Sequence, residues 1–337
     1  MHLPTKSCCL TCIIVTYNRA EQLRHCLNIT LQQEVDRVIV IDNGSTDHTA
    51  QLLNDFKRND SRMVVERQKR SRGGSWGFAR GMRLGDRLME SGGWLLLYDD
   101  DSWPEPNCIS TFRQRARHYE DLGIAGVGAA VFGRDGKPVE SNRPVLNLFR
   151  RPLTVLRQTA PTARSLRDLY HVPRRVISSS GHQVRVDSIS FVGLFLNLSR
   201  LPKGPGRFPR GALFLYSDDT TYSLELVRQG RHLLLDTDLR FRHATGGGGA
   251  AAGQLKPTWK HYYIVRNSFL MNRSLSQAWY LPLCIATMMT HAGRGLREGC
   301  HTGDWTLLRL AYLGGWDGMR NHYSRSHGFL EAISAGR

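Results

Sequence analysis

The chain has 337 residues, with 46 Lys and Arg against 29 Asp and Glu and a formal net charge of +17. At 41% hydrophobic it can bury a full core, which excludes global disorder, and its length allows one large or two ordinary domains. The basic balance would suit a nucleic-acid binder. It would equally suit a protein that handles nucleotide sugars, lipid diphosphates or anionic membranes, since all carry phosphate.

At the N-terminus, the apolar run Cys8 to Val15 behind Lys6 makes a poor signal peptide, because polar Thr16 to Arg19 stand where small residues should mark cleavage. The seven cysteines include one C-x-x-C, Cys9 and Cys12, with no second pair to complete a zinc set. They read as buried thiols of a protein in the reducing cytoplasm. Thr11 to Thr16 is a continuous apolar run, as expected of a strand buried on both faces. Residues 20–32 carry Leu23, Cys26, Leu27 and Leu31 at helical spacing. Arg37 to Ile41 is a second strand, followed by the turn Asp42 to Ser45 and a helix capped by Thr46 or Asp47. Met63 to Val65 is a third strand. Gly73 to Gly81 reads as a glycine-rich turn entering a helix that runs to about residue 90. Trp94 to Tyr98 is a fourth strand and runs straight into Asp99, Asp100 and Asp101. This alternation predicts an α/β fold with a mostly parallel sheet, whose ligands bind outside the carboxyl ends of the strands.

Residues 141–185 hold nine Arg, no Lys and one acid, Asp168, and read as an insertion of loops and short helices. Ser188 to Leu198 returns to the core. Leu213 to Tyr216 leads into Ser217, Asp218 and Asp219 and then a helix stopped at Gly230. His232 to Leu235 and Leu239 to Arg242 read as strands, ending at His243, and Thr245 to Gly253 is a glycine-rich loop. From about residue 258 the chain is mostly helical and aromatic. Its longest apolar stretch, Trp279 to Met289, is too short to span a bilayer, although with Arg294 and Arg297 it could lie on a membrane surface or form a core helix. The predicted division is a catalytic domain over 1–257 and a helical region over 258–337.

Four clusters carry chemistry. Three adjacent carboxylates at a strand end are easiest to tolerate beside a cation, and oxygen ligands suit Mg²⁺ or Mn²⁺. Asp99 and Asp101 point the same way if the strand geometry persists and could share the metal, while Asp100 turns to a sugar or ribose. Asp218 and Asp219 precede a helix. One can cap it, and the other can act as a general base whose pKa its neighbour raises. His243 would complete a site with two aspartates, a mixed set that Mn²⁺ tolerates. Arg72, Gly73, Gly74, Trp76 and Arg80 make an anion site where glycines let the backbone approach a diphosphate.

In this order, Ile13 to Arg19, Val40 to Asp47, the glycine-rich segment, Asp99 to Asp101 and the Asp218–Asp219 pair resemble glycosyltransferase family 2, the inverting enzymes of GT-A fold. The likeness covers about residues 10–270. Within the family, Gly73 to Phe78, the spacing from Asp219 to His243 and Tyr262 to Asn267 resemble the bacterial galactofuranosyltransferases and the related rhamnosyltransferases. The resemblance implies that Thr16, Tyr17, Asn18, Arg19, Asp42 and Asn43 hold the nucleotide. Arg72, Gly73, Gly74, Trp76 and Arg80 would line the donor diphosphate and sugar, with Asp99 and Asp100 beside them. Asp99, Asp101 and His243 would hold the divalent metal, and Asp219 would be the base with Asp218 as partner. Trp76 and Thr221 depart from the pattern, the first where a small residue is usual and the second where an acid often stands. The expected donor is UDP-galactofuranose, with dTDP-rhamnose as the alternative. The expected acceptor is a glycan or lipid-linked precursor of cell-surface polysaccharide, met at the inner face of the cytoplasmic membrane. A nucleic-acid binder would not need three aspartates at a strand end, so no nucleic acid is expected as partner.

Overall fold

The computed structural model describes residues 8–89, 92–244 and 259–336. The glycine-rich stretch Thr245 to Gly253 lies outside the described residues. Strands β1 (Leu10–Thr16), β2 (Arg37–Asp42), β3 (Met63–Arg67) and β4 (Trp94–Asp99) alternate with helices α1 (Ala20–Leu31), α2 (Thr49–Asn59) and α3 (Gly74–Leu88). All seven residues of β1 are buried, because helices cover both faces of the sheet. Its side chains alternate accordingly. Cys12 and Ile14 pack with α1 and the helix α4 (Cys108–Asp121), and Ile13 and Val15 pack with α3.

The remaining strands are β5 (Ser102–Pro104), β6 (Ile124–Phe132), β7 (Gln183–Val186), β8 (Leu194–Asn197) and β9 (His232–His243). The nine strands form one sheet in the order β3-β2-β1-β4-β8-β6-β9-β5, with β7 also paired to β9. The strands β1, β2, β3, β4, β6 and β9 run in one direction, and β5, β7 and β8 oppose them. The two strands expected over 232–242 are one strand with a bulge, where the register against β6 slips between Asp236 and Arg240.

Two local expectations are corrected. The helix after the 42–45 turn starts at Thr49 with His48 at its N-cap position, and Asp47 accepts the Thr49 N–H at 3.1 Å. Ahead of Ser217, a single 3-10 turn, Gly211–Leu213, precedes an irregular loop. The glycine-rich segment is helical from Gly74 onward. Gly77, Gly81 and Gly85 recur every four residues on the face of α3 that meets the sheet, where a Cβ would come within 2.5 Å of Val15, 2.4 Å of Ile13 and 2.8 Å of Leu95. These glycines set a short helix-to-sheet distance, and only Gly73, at φ 82°, does a turn's work.

Residues 141–185 do form short elements over the sheet, α5 (Pro152–Thr159), α6 (Arg174–Ser178) and β7, joined by 3-10 turns. Much of their positive charge is used internally. Arg143 is buried between Asp168 (2.8 Å) and Glu140 (3.0 Å), Arg151 pairs with Asp187 (2.7 Å), and Arg174 with Glu140 (2.5 Å). Arg150 and Arg167 bond to backbone carbonyls, and Arg185 to His232. All seven cysteines are free thiols, and burial pushes that of Cys12, within β1, up to about 12.

The C-terminal helices α8 (Lys260–Leu275), α9 (Tyr280–Thr302), α10 (Thr306–Met319) and α11 (His327–Ser334) follow α7 (Asp218–Arg228) and the last strand. Their packing is pinned by Asp317, a buried acid that accepts from the Tyr262 hydroxyl at 2.6 Å and from Arg325 at 2.5 and 2.9 Å. Burial alone would raise the Asp317 pKa, but Arg325 and Tyr262 outweigh it and hold the carboxyl below its ordinary value. A depressed folded-state pKa contributes stability that is full above the unfolded value and is lost as pH falls through the folded one. Asp317→Asn is therefore expected to cost about 2 kcal/mol at neutral pH in thermal or denaturant unfolding, with the gap to the parent chain closing in acid.

Candidate active site

The carboxyl ends of β1, β2 and β4 and the last residues of β9 meet at one edge of the sheet. The Thr16 hydroxyl donates to Asp100 at 2.7 Å, and the Arg19 guanidinium spans Asp100 (3.2 Å) and Asp101 (2.6 Å). Burial raises the Asp100 pKa to about 6 against the opposing pull of Arg19 and Thr16. Asp99 is driven higher by burial and by the charges of Asp101, Asp100 and Asp218. Asp101 is also buried, but His243 and Arg19 reverse that effect and hold it low.

His243 Nε2 lies 3.2 Å from Asp101 Oδ1, and its Nδ1 lies 3.1 Å from Asn142 Oδ1. Asn142 in turn donates its amide N–H to the Ser190 hydroxyl at 3.0 Å, which leaves its oxygen free to accept from Nδ1–H. Nε2 then faces Asp101 Oδ1, a buried oxygen that accepts no well-formed hydrogen bond. A proton on Nε2, the state in which His243 holds the Asp101 pKa low, or a cation can bridge the two atoms, and an imidazole oriented through its other nitrogen is a common metal-ligand arrangement. The donor set therefore fits a divalent metal, although among the described residues no three such side chains already enclose one point.

These groups open into a cleft of about 430 Å³. Of the residues singled out in the sequence, Thr16, Tyr17, Arg19, Asn43, Gly73, Gly74, Asp99, Asp100, Asp101 and His243 line it. Gly73 and Gly74 begin α3, so the positive end of that helix faces the cleft. Sequence reasoning missed Ser71, Phe214, Leu215, Trp259 and Lys260, which complete the wall. The available signal was the pairing of an aromatic residue with a cation, Trp259 and Lys260, directly before a helix.

Other expected residues sit elsewhere. Asp42 is fully buried; its carboxylate accepts the Ser45 N–H at 2.8 Å and lies 3.1 Å from Arg67, so it builds the turn and does not reach the cleft. Asn18 braces the same turn by accepting the Thr46 N–H at 2.7 Å. Arg80 is tied to Glu66 at 2.7 Å outside the cleft lining. Trp76 lies under the Arg72 guanidinium, 4.5 Å from its ring centre, and packs against Gly211. Thr221 is buried within α7, with no partner for its hydroxyl.

Asp218 and Asp219 open α7 beside the cleft, and a strained loop delivers them there. Phe214, Tyr216 and Ser217 all have positive φ (67°, 67° and 59°) without being glycine. A Cβ at Gly73 would lie 2.2 Å from the Phe214 carbonyl oxygen, so glycine is required where α3 begins against this loop. Two buried residues of α8 clamp the loop from behind. Asn267 donates to the carbonyls of Leu213 (3.1 Å), Leu215 (2.7 Å) and Tyr216 (2.9 Å), and Arg266 donates to Leu213 at 2.7 Å. Burial raises the pKa of both aspartates, and Asp219 raises Asp218 further.

Residues 11–169 match the family model described as Glycosyl transferase family 2. This segment is similar to glycosyltransferase family 2 domains. Glycosyltransferase GlyA of Streptococcus pneumoniae serotype 4 is 26% identical over 118 residues, which is 34% of this chain and 16% of that protein. Among solved structures, the mannosyltransferase PcManGT from Pyrobaculum calidifontis, in complex with GDP-Man and Mn²⁺, aligns over 94% of this chain and 89% of its own at 14% identity and a TM-score of 0.50. S. aureus TarS 1–349 aligns over 98% and 92% at 14% identity and a TM-score of 0.49. The mannosyltransferase shares the fold, and the GT-A expectation holds. The matched segment contains β1 to β6 and the three aspartates. His243 lies beyond it and lines the cleft from β9, while Asp218 and Asp219 stand beside the cleft at the start of α7.

Proposed function

We propose that the protein is an inverting, metal-dependent glycosyltransferase that moves a sugar from a nucleotide-diphosphate donor to a glycan or lipid-linked acceptor in cell-surface polysaccharide synthesis. The observation that carries this reading is the facing of Asp101 and His243 across 3.2 Å at the floor of a cleft that a helix N-terminus also enters. The GDP-Man and Mn²⁺ bound to the mannosyltransferase support a nucleotide sugar and a divalent metal here. UDP-galactofuranose is the donor we favour and dTDP-rhamnose the alternative. The same reading divides the chain at 257/258 and places it peripherally at the inner face of the cytoplasmic membrane. No described helix is long and apolar enough to cross a bilayer.

Asp99, Asp101 and His243 would hold the metal, which when bound offsets the charge that develops on the leaving diphosphate. The Gly73 and Gly74 amides and Lys260 would face the same phosphates from the opposite wall. Tyr17, exposed at the mouth, offers an aromatic face to the base. Asp219 would accept the proton of the acceptor hydroxyl as its oxygen bonds to the anomeric carbon and the bond to the diphosphate breaks. That single displacement inverts the configuration.

A donor panel tests this reading: UDP-galactofuranose, UDP-pyranoses and dTDP-rhamnose, titrated calorimetrically with and without Mn²⁺. Metal-dependent binding of a UDP-sugar is expected, and Asp101→Ala should weaken it at least about tenfold. Equal affinity with and without metal would refute the ligand assignment, and preference for dTDP-rhamnose would overturn the donor choice.

A further inference from the structure

Helices α9 and α10 form an antiparallel hairpin whose seam is built from close contacts. Gly295 packs on Leu308, Gly299 on Trp305 and Gly315 on Met288. Helix α8 covers one side of the pair. His261 meets His291 of α9 with ring centres 4.7 Å apart, Asn272 bonds Thr287 at 3.2 Å, and Gly314 and Gly318 of α10 pack on Tyr262 and Phe269. On the opposite side, about a quarter turn from the seam on both helices, stand Leu281, Ile285 and Met289 of α9 and Tyr312, Trp316 and Met319 of α10. All six are exposed, Leu281 by 66%, Met289 by 71% and Tyr312 by 60%. Large apolar side chains aligned on one face in this way exceed the scattered exposure normal for a surface.

The charges on this hairpin point to what covers the face. Arg309 and Arg320 are exposed on the same side, and the Arg320 guanidinium sits 3.8 Å from the centre of the Trp316 ring. The acids of the two helices and their turn lie elsewhere. Asp317 is buried on Arg325, Asp304 caps the first turn of α10 by accepting the Thr306 N–H, and Glu298 is half-buried. An apolar stripe with tryptophan, tyrosine and arginine and no acid matches an anionic lipid surface, where rings and guanidinium groups sit at headgroup level. A second copy of the chain would set the arginines of this face against one another.

We infer that the α9–α10 face is the surface by which this protein lies on an anionic membrane. This deepens the peripheral location proposed above and rests on it. The arginine-rich residues 141–185 suit this role less well, since six of their nine arginines are already engaged within the fold. Helix α8 connects this face to the chemistry, since Lys260 at its start lines the cleft and its far end leads into α9.

Flotation of the full chain with phosphatidylcholine vesicles, with and without phosphatidylglycerol, tests the assignment. Binding is expected only with the anionic lipid and should weaken as salt rises. Ile285→Glu with Met289→Glu, and separately Arg309→Glu with Arg320→Glu, should each cut it at least about tenfold, because each basic residue at such a surface contributes on the order of 1 kcal/mol. Thermal melts and UDP titration of the same variants should be unchanged. Vesicle binding indifferent to both pairs, absence of vesicle binding, or a dimer in solution that the variants dissociate would each overturn the assignment. Failure of the parent chain to bind any nucleotide sugar would instead remove the glycosyltransferase reading and leave the vesicle result standing.

Discussion

Asp219→Asn is expected to lower transfer by about 10²–10⁴-fold while metal-dependent donor binding persists. The asparagine keeps the side chain's shape and can still accept the Thr220 N–H that Asp219 Oδ1 takes at 2.6 Å, so the start of α7 should stand. What it loses is the ability to take a proton. Steady-state turnover and donor titration on the same sample separate the two effects, and near-normal turnover would sink the assignment of Asp219 as base. Asp218→Asn provides the internal comparison, because Asp218 interacts with Asp99 whereas Asp219 bonds to Thr220. A dead Asp218 variant beside an active Asp219 variant would exchange their roles. The pH dependence follows from the raised pKa of the pair. A base works only when ionised, so activity should fall as pH drops through an acid limb lying above the ordinary aspartate range, where burial has pushed the pair.

The parts of this site that were legible in the sequence are those set by local pattern. The runs at 11–16, 37–41 and 94–98 are apolar without alternation because helices cover both faces of the sheet, and that burial fixed where the polar strand ends fall. Asp99 to Asp101 could be placed on that ground alone. The errors came where distant residues decide. Gly77 and Gly81 read as turn chemistry because their reason, the nearness of Val15 and Ile13, lies on another element. Asp42 read as a ribose ligand, yet the carboxylate is consumed by Ser45 and Arg67 beneath its own turn. The nine arginines of 141–185 do not announce their partners, yet six of them are engaged within the fold. Nothing local announces that Phe214, Tyr216 and Ser217 take left-handed backbone, since none is glycine and their support comes from Arg266 and Asn267 in another helix.

That support gives the second large expectation. Each non-glycine residue held at positive φ costs on the order of 1–3 kcal/mol, so the 214–217 loop persists only while something outside it over-determines its shape. Asn267 supplies three of the hydrogen bonds that do so, from a side chain with no exposure to solvent, and its own oxygen is oriented by Arg266 Nε at 2.9 Å. Asn267→Ala would leave the Leu215 and Tyr216 carbonyls without that donor, with Leu213 held by Arg266 alone among side chains, and let the loop relax towards ordinary backbone, moving the aspartate pair that follows it. Because misplacement of reacting groups by about 1 Å costs roughly 10²-fold, kcat is expected to fall by about that factor. Donor affinity should change much less than kcat, since, apart from Lys260 at the start of α8, the residues proposed to hold the metal and nucleotide belong to β1, β4, α3 and β9 or to the turns that follow the strands. Asn267→Asp should fare no better, because a carboxylate cannot donate to those carbonyls and would add a buried charge beside them. The split between kcat and donor Kd decides the matter. If both fall together with the melting temperature, Asn267 acts only in stabilising the helical region; if kcat falls alone, the α8 clamp positions the base.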